Sequence, residues 1–552
     1  MDTYFCIMAF SANKRAEYIS GLSSEELDLL VIGGGITGAG IALDAISRGL
    51  KVGLIEKSDF GSGTSSRSTK LIHGGLRYLK QLEFGIVREV GQERAILHNN
   101  APHIVIPEKM LLPIIQGGSL GKKSTSLGLF VYDILAGVKS DERRYMLSKT
   151  ETLQQEPLLR NDILKGGGVY IEYRSDDSRL VIEVMKTAVE KGAICLNYAP
   201  CKELLYENGK VVGAIFTDEV NQQNHTIRAK QTINACGPWV DNIRKIDNSL
   251  KGKRLHLTKG VHLVVEKNKL PINESVYFDI TKDGRMMFAI PRGNIVYLGT
   301  TDTTYNENID FPFATKEDVE YILNATNYMF PTIKLKNEDV ISTWAGLRPL
   351  IHEDGKSPSD LSRKDEIFIS SSGLISIAGG KLTGFRKMAE RSLNVACKNI
   401  SKKTGRKFLK CHTKNIPLSG GAGINGVIGV EKLIQDLVIR FSSFNESQIT
   451  DLVNKYGSNT EKILIMAINK YHETENSLLK AEVDYCINDE MTLNISDFFI
   501  RRSGRLYFER PQIPTIRKEV EEQFSKEISL PSAVSQKFLE DFEIEYRGVL
   551  NF

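Results

Sequence analysis

Residues 28–38 read DLLVIGGGITG, so a short and mainly apolar run leads directly into a cluster of glycines. The run at 28–32 predicts a buried strand, and residues 36–47 predict a helix that begins at the glycines. A second apolar run at 51–55 predicts a strand that ends before Glu56. Because strands joined through a helix run parallel, the stretch predicts an α/β unit with a parallel sheet.

The glycines match the pattern G-x-G-x-x-G, and each has a physical task. Gly33 permits a tight turn, Gly35 lets the backbone approach a pyrophosphate, and Gly38 lets the helix pack closely on the strand. Glu56 follows Gly38 by 18 positions, close to the spacing of about 20 expected for the carboxylate that binds adenosine ribose. The pattern predicts a Rossmann-like dinucleotide site and leaves NAD and FAD open. The alternative is a glycine-rich turn beside an incidental acid.

Length, charge and cysteine content narrow the class of protein. A chain of 552 residues is too long for one hydrophobic core, so two or three domains are expected. A net charge of only +4 argues against a nucleic-acid binder. The 7 cysteines form no C-x-x-C pair, so we expect neither a disulfide framework nor a metal site. This cysteine content is consistent with a protein of the reducing cytosol. No apolar run reaches the roughly 18–20 residues of a transmembrane helix, so any membrane contact should be peripheral.

Hydrophobic patterns divide the chain into three parts. Residues 1–26 are expected to be an N-terminal extension or helix, and residues 27–400 contain the glycine motifs. Residues 401–552 follow a basic stretch and show helical periodicity, which predicts an α-helical C-terminal domain. Residues 100–165 mix helix-like and loop-like patterns. Strands are predicted at 210–217, 226–235, 261–265, 286–290, 295–298 and 374–378, and helices at 181–191, 384–398, 427–440, 446–456, 460–469 and 477–489.

The run TSSRSTKLIHGGLRYL at residues 64–79 closely resembles the signature of FAD-dependent glycerol-3-phosphate dehydrogenases. Four later segments resemble the same family in the same order: NACGPW at 234–239, GTTDT at 299–303, AGLRPL at 345–350 and GGKLT at 379–383. The resemblance covers about residues 15–510, and its first run is the most specific part. It implies FAD as the cofactor. It also implies the α/β (α+β) fold of D-amino-acid oxidase, with a Rossmann-like FAD-binding domain, a β-sheet substrate domain and the helical domain.

Under this resemblance the FAD-binding domain is expected to be discontinuous. It would comprise about residues 27–100, 165–245 and 340–400, and the substrate domain about 100–165 and 245–340. Some family members are peroxide-forming oxidases with a long internal insertion, for which this chain has no room. The dehydrogenase branch is therefore implied, in which electrons pass to a membrane quinone.

A membrane acceptor implies a protein attached peripherally to the inner face of the cytoplasmic membrane. The candidate contact is the apolar stretch 127–138, which is flanked by Lys122, Lys123, Arg143 and Arg144. The alternative is a buried helix with solvated flanks. By analogy the helical domain is a lid or a dimerisation element, so a homodimer is one arrangement that the resemblance allows.

Cofactor contacts are expected along the segments rich in glycine, hydroxyl groups or positive charge. The hydroxyl-rich loop 62–69 suits the FAD phosphates and ribityl chain, and paired glycines let backbone approach the flat isoalloxazine ring. The helix that opens after residue 380 directs positive potential at the ring. Each segment has the alternative of an ordinary turn or solvated loop. The expected FAD-binding residues are Gly33, Gly35, Ile36, Thr37, Gly38, Glu56, Lys57, Thr64, Ser65, Ser66, Lys70, Leu71, Ile72, His73, Gly74, Gly75, Ala235, Gly237, Trp239, Gly346, Gly379, Gly380, Lys381, Leu382 and Thr383.

The substrate implied by the resemblance is sn-glycerol 3-phosphate, whose phosphate dianion calls for convergent cations. Residues expected to bind it are Arg77, Tyr78, Arg348, Arg363 and Lys381.

Oxidation removes a proton from the C2 hydroxyl group, and histidine is the usual base near neutral pH. His262 matches a family motif and is the expected base, with a hydrogen-bonded structural histidine as the alternative. Arg348 is the second expected catalytic residue, because a guanidinium can stabilise negative charge on the C2 oxygen. Asp302 either orients a cation or holds a turn.

Three other functions stay open on the sequence. The first is an amine, amino-acid or glycerophosphate oxidase of the same fold. The second is an NAD-dependent dehydrogenase, which uses the same glycine pattern. The third is a flavin-binding or membrane-docking protein without catalytic activity.

Overall fold

A computed structural model describes residues 9–73, 83–118, 121–136, 143–280, 284–353, 364–472 and 474–552. The strands are β1 Leu27–Ile32, β2 Val52–Ile55, β3 Leu71–Ile72, β4 Val105–Ile115, β5 Tyr145–Leu147, β6 Leu164–Ser175, β7 Ile194–Leu196, β8 Cys201–Glu207, β9 Lys210–Asp218, β10 Gln223–Asn234, β11 Lys253–Glu266, β12 Ser275–Ile280, β13 Arg285–Arg292, β14 Ile295–Gly299, β15 Thr303–Thr304, β16 Val340–Glu353, β17 Glu366–Ile369 and β18 Ile375–Ala378. The α-helices are α1 Arg15–Ser23, α2 Ile36–Ser47, α3 Phe84–Asn100, α4 Lys122–Ala136, α5 Lys149–Gln155, α6 Asp177–Glu190, α7 Val240–Ile246, α8 Lys316–Met329, α9 Phe385–Thr404, α10 Gly426–Arg440, α11 Glu446–Tyr456, α12 Thr460–Tyr471, α13 Ser477–Asp489, α14 Arg505–Phe508, α15 Ile513–Glu527 and α16 Ser532–Gly548.

The first sheet is built around β1. Its strand order is β17–β18–β10–β1–β2–β7, with β9 paired to β10 and β8 paired to β9. Strands β2 and β10 both run parallel to β1, and every residue of β1 is buried, as in a strand covered on both faces. Helix α2 contacts α6 and α9, and a Cβ on Gly40 would lie 2.8 Å from the Phe385 ring. This arrangement confirms the Rossmann-like fold predicted from residues 28–56.

The second sheet has the order β15–β11–β14–β13–β12–β4–β6–β3, with β16 on β11 and β5 on β6. It is antiparallel apart from the β12–β4 pair. Strands β6 and β16 both belong to this sheet. The sheet pairing of a strand depends on distant partners, which hydrophobic patterning along one segment does not specify.

The sequence pattern does not predict β4 or β6 as strands. β4 contains Pro107 and Pro113, and β6 contains glycines at 166–168. These residues are depleted in strand interiors, so their presence argued for loops. In the sheet, Pro107 lies opposite Tyr173 and Pro113 lies opposite Gly167.

Residues after α9 form the helical domain, and the predicted helices at 427–440, 446–456, 460–469 and 477–489 correspond to α10–α13. This domain shares one apolar cluster with the second sheet, in which Tyr507 and Phe542 join Trp344 and Tyr297. In the part of the chain that the structure describes, no helix is both long enough and apolar enough to cross a membrane.

Candidate active site

The glycine turn joins the carboxyl end of β1 to the start of α2. Gly33 has φ +109°, a conformation that favours glycine. A Cβ on Gly33 would lie 2.7 Å from the carbonyl oxygen of Ala235, at the end of β10, and a Cβ on Gly38 would overlap the carbonyl oxygen of Gly33. The turn is therefore packed so tightly between two parallel strands that side chains are excluded.

The N-terminus of α2 and the Glu56 carboxylate lie on the same turn. Gly35 is the N-cap residue and offers no capping side chain, while the Ile36 N–H donates to Ser65 Oγ at 3.1 Å. The next N–H groups of the first helical turn have no partner within the helix and suit a phosphate. Glu56 accepts from the Gly34 N–H at 2.6 Å and from the Ser58 N–H at 3.0 Å, and burial raises the pKa of its carboxyl group. A glycine cradle, a helix N-terminus and a carboxylate at one strand end fit the diphosphate and ribose of FAD.

Other residues expected to bind FAD lie around this turn. Thr64 Oγ1 donates to the carbonyl oxygen of Leu347 at 2.6 Å, so the hydroxyl-rich loop rests on β16. Lys57 pairs with Asp310, and its Nζ lies 4.1 Å from the centre of the Trp239 ring. Trp239 Nε1 donates to the same Asp310 carboxylate at 2.9 Å. Asp310, in the loop before α8, thus contacts both Lys57 and Trp239, which were expected to bind FAD.

The second sheet carries a row of side chains across its middle strands. His262 of β11 lies opposite Trp344 of β16 on one side and Gly299 of β14 on the other. Gly299 lies opposite Phe288 of β13, which lies opposite Tyr277 of β12. Because directly paired residues project to the same face, these five residues form one row. Phe288 stacks on Tyr277 with ring centroids 4.2 Å apart.

The His262 imidazole is held on several sides. It stacks on Trp344 with ring centroids 4.8 Å apart and an interplanar angle of 11°. A Cβ on Gly299 would overlap the imidazole, so the ring leans over this glycine. Nε2 lies 3.0 Å from Thr69 Oγ1, while Nδ1 is buried without a hydrogen-bond partner among the described residues. Burial lowers the pKa of His262 well below 6.5, and the charges of Arg348 and Lys70 lower it further. The imidazole is therefore neutral at physiological pH and able to accept a proton.

Arg348 projects from the same face as His262. A Cβ on Gly260, two positions before His262, would overlap the Arg348 guanidinium, so this glycine provides the space that the side chain occupies. Nη1 lies 3.2 Å from Asp302 Oδ1, and Nη2 donates to Thr300 Oγ1 at 3.0 Å. Asp302, whose role the sequence left open, therefore contacts a cation.

The turn that precedes α9 contacts His73. Gly379 and Gly380 have φ +78° and +82°. Thr383 Oγ1 donates to the carbonyl oxygen of His73 at 3.3 Å. Burial lowers the pKa of His73 well below 6.5, and the positive charge of Lys381 adds to this effect. The His73 ring lies 6.5 Å from Phe288, so this turn adjoins the row that contains His262.

Some expected site residues have other contacts or lie outside the described residues. The Lys70 ammonium is buried and donates to Asp177 Oδ1 at 2.5 Å and to the Ser66 carbonyl oxygen at 3.0 Å. Its side chain is therefore engaged within the protein, and any contact with FAD would come from its backbone. The expected residues outside the described part are Gly74, Gly75, Arg77, Tyr78 and Arg363.

Sequence reasoning missed several residues of the site. Thr69 and Thr300 stand inside the quoted motifs, but nothing along the chain shows that they reach His262 and Arg348. Trp344 directly precedes the AGLRPL segment and is one of only 2 tryptophans in the chain. Its position beside a family motif could have indicated that it belongs to the site. The stacked pair Phe288 and Tyr277 had no sequence signal beyond strand periodicity.

Comparisons with known proteins place this site in a family. Residues 28–386 match the family described as FAD dependent oxidoreductase, and residues 411–533 match the C-terminal domain of alpha-glycerophosphate oxidase. The aerobic glycerol-3-phosphate dehydrogenase of Bacillus subtilis is 48% identical over 548 residues, which cover 96% of this chain and 97% of that protein.

Two solved structures support the same placement. The glycerol-3-phosphate dehydrogenase of Bacillus halodurans, complexed with FAD, has a TM-score of 0.85 and 43% identity, with 98% of this chain and 99% of that chain covered. Glycine oxidase from Bacillus cereus has a TM-score of 0.50 and 20% identity over 68% of this chain and 98% of that chain, which shows the shared fold. The chain therefore belongs to the FAD-dependent oxidoreductases, within the family of the aerobic glycerol-3-phosphate dehydrogenases.

Proposed function

We propose that this protein oxidises sn-glycerol 3-phosphate to dihydroxyacetone phosphate and passes the electrons through FAD to a membrane quinone. The observation that carries the proposal is the pairing on one sheet face of a neutral, buried imidazole, His262, with an oriented guanidinium, Arg348. An acid–base group beside a fixed positive charge is what oxidation of a secondary alcohol requires. FAD supplies the acceptor for the hydride from C2.

His262 is assigned the removal of the C2 hydroxyl proton. Its imidazole is neutral and stacked on Trp344, so its position is fixed before substrate binds. A base held within hydrogen-bond reach of its proton contributes about 10²–10⁴-fold to rate. The proton passes from the C2 oxygen to the imidazole as the C2–H bond breaks.

Arg348 is assigned the stabilisation of negative charge on the C2 oxygen. Asp302 and Thr300 hold two of its nitrogens, so the guanidinium does not have to reorganise during the reaction. Lys381 on the adjoining turn is close enough to lower the pKa of His73, so it supplies a second cation to the region. Two cations suit the phosphate dianion, and Arg77, Tyr78 and Arg363 remain proposed ligands of the same group.

Peripheral membrane attachment is proposed through α4. Three large apolar side chains on this helix are exposed: Leu127 at 63%, Phe130 at 49% and Ile134 at 63%. Their spacing of three and four residues places them on one helical face. Arg144 lies 5.5 Å from the Phe130 ring, and Arg143 is exposed nearby. An apolar stripe beside positive charge can bind to the anionic leaflet of a membrane. The quinone that accepts the electrons would come from this membrane.

Anaerobic mixing of the FAD-loaded protein with glycerol 3-phosphate tests the proposal. The flavin absorbance should bleach with glycerol 3-phosphate and stay unchanged with glycine or other amino acids. It should return when a soluble quinone analogue is added. Bleaching by an amino acid alone would instead favour the amino-acid oxidase function, and no bleaching by any substrate would favour a non-catalytic flavoprotein.

A further inference from the structure

The helical C-terminal domain contacts the segment that holds His262. Arg67 is buried, and its Nη2 donates to Glu545 Oε1 of α16 at 2.5 Å. Two residues further on, Thr69 Oγ1 lies 3.0 Å from His262 Nε2. A Cβ on Gly346 would overlap the Arg67 carbonyl oxygen, so the segment lies directly against β16. The position of the Thr69 hydroxyl group therefore depends on the ion pair between Arg67 and Glu545.

The same domain also supports the ring on which His262 stacks. Trp344 Nε1 donates to the Ser68 carbonyl oxygen at 2.9 Å, so Trp344 is tied to the anchored segment. The Tyr507 ring of α14 lies 5.5 Å from the Trp344 ring, and Phe508 lies 5.9 Å from it. Burial raises the pKa of Tyr507 to about 12, so its hydroxyl group stays protonated beside Arg67.

A buried ion pair of this kind is a costly way to hold domains together. Removing two charges from water is unfavourable, and apolar residues of similar volume often give equal or greater stability. What an arginine–carboxylate pair adds is a fixed direction, because the guanidinium presents planar, oriented donors. The pair between Arg67 and Glu545 is therefore better suited to orienting the segment than to strengthening the fold.

We propose that Glu545, together with Tyr507, is a positioning residue for His262. The inference rests on the proposed role of His262 as the base. Glu545 fixes Arg67, Arg67 fixes the segment that carries Thr69, and the Thr69 hydroxyl group holds the imidazole. The C-terminal domain thus contributes to the reaction although none of these helical residues belongs to the row that faces the substrate.

The Glu545→Gln variant tests this chain of contacts. It keeps the side-chain shape and leaves Arg67 buried without its counter-charge. Because misplacement of a reacting group by about 1 Å can cost roughly 10²-fold in rate, the limiting rate of flavin bleaching should fall at least about tenfold. The KM for glycerol 3-phosphate should change less than this rate. The acid limb of the rate should move to higher pH, because a loosened imidazole gains water and its lowered pKa rises.

Asp484→Asn is the matched control. Asp484 is a buried carboxylate of the same domain that accepts from Lys470 Nζ at 2.7 Å and from the Tyr471 hydroxyl group at 3.0 Å. The partners of its carboxylate, Lys470, Tyr471 and Asn488, lie within the helical domain, so its loss should lower the melting temperature without changing the limiting rate or its pH dependence.

Tryptophan fluorescence gives a readout that does not depend on turnover. Since the chain has only 2 tryptophans, a Trp239→Phe background leaves Trp344 as the sole tryptophan. A protonated imidazole quenches a stacked indole, so emission against pH reports the protonation of His262. Adding Glu545→Gln to this background should shift that titration to higher pH, and adding Asp484→Asn should not.

Tyr507→Phe is the second variant, which keeps the test decisive if Glu545→Gln does not fold. It removes the hydroxyl group beside Arg67 and should shift the same two readouts in the same direction by a smaller amount. Wild-type rate and pH profile in Glu545→Gln, or in Tyr507→Phe if the first is unfolded, would overturn the inference. Failure of the wild-type protein to bleach with glycerol 3-phosphate would instead overturn the proposed function.

Discussion

Asp302 and Arg348 lie 46 residues apart in the chain, and their side chains meet with Oδ1 3.2 Å from Nη1. Both side chains are about one-third exposed or less, so the pair borders the site and is not sealed in the core. Asp302 follows β14, and Arg348 belongs to β16, with β11 between these two strands. The pair therefore fixes the guanidinium across the strand that carries His262.

Loss of the Asp302 charge should weaken the function of Arg348. In Asp302→Asn the guanidinium keeps Thr300 as a partner but loses the charge of Asp302. We expect kcat/KM for glycerol 3-phosphate to fall about tenfold, which corresponds to about 1.4 kcal/mol of transition-state stabilisation. Glu338→Gln is the control, since Glu338 forms an exposed ion pair with Lys336 and such pairs contribute little. Equal kinetics in the two variants would contradict the role given to Asp302.

Gly38 should be essential for retention of FAD. A Cβ at this position would overlap the Gly33 carbonyl oxygen, so Gly38→Ala must displace α2 from the end of β1. The first turn of α2 would then no longer face the diphosphate. We expect the purified variant to lose most of its flavin, measured as the ratio of flavin to protein absorbance.

Gly85→Ala controls for the general cost of replacing a glycine. Gly85 lies in α3, and a Cβ there would meet no atom within 4 Å. This variant should keep a wild-type flavin ratio. A full flavin complement in Gly38→Ala would show that the close packing of the glycine turn is not what holds the cofactor.

The glycine turn could be predicted because its signal is local. The strand, the glycines and the helix follow one another within residues 27–47, so their spacing alone predicts a strand–turn–helix unit. The helices of the C-terminal domain were predictable for the same reason, since each shows its periodicity within one segment. The discontinuous domain boundaries and the roles of the individual FAD-binding residues stay predictions.

The surroundings of His262 could not be predicted, because they arise from contacts between distant segments. Thr69 lies 193 residues from His262 in the chain, and Trp344 comes from a third segment. Register places Trp344, His262, Gly299 and Phe288 in one row, and register is a property of the paired sheet. The sequence indicated His262 through its motif, while the stacking and the low pKa of its imidazole depend on the folded site.

His262 should set the acid limb of the pH profile. Its folded-state pKa lies well below 6.5 because of burial and the nearby positive charges. A base works only when unprotonated, so turnover should persist as the pH falls to 6.5 and decline only at lower pH, where the imidazole gains its proton. The pH dependence of kcat with glycerol 3-phosphate and a dye acceptor measures this.

Replacement of the imidazole should separate turnover from FAD binding. We expect His262→Asn to lower kcat by about 10²–10⁴-fold with the flavin still bound. His225→Asn is the matched control, because His225 stacks on Phe216 with ring centroids 5.3 Å apart and belongs to the first sheet. Near-wild-type kcat in His262→Asn would leave His262 with only a structural role.

The exposed face of α4 should determine binding to membranes. Burial of one large aliphatic side chain contributes about 1.5–3 kcal/mol, so Ile134→Glu should weaken partition into anionic phospholipid vesicles at least about tenfold. The rate with a soluble dye acceptor should stay unchanged, because none of the site contacts described above involves Ile134. Ile439→Glu on α10 is the matched control, since Ile439 is also an exposed helical isoleucine, at 81%, on another part of the chain. Vesicle sedimentation measures the partition, and equal loss of binding in both variants would show that α4 is not the specific contact.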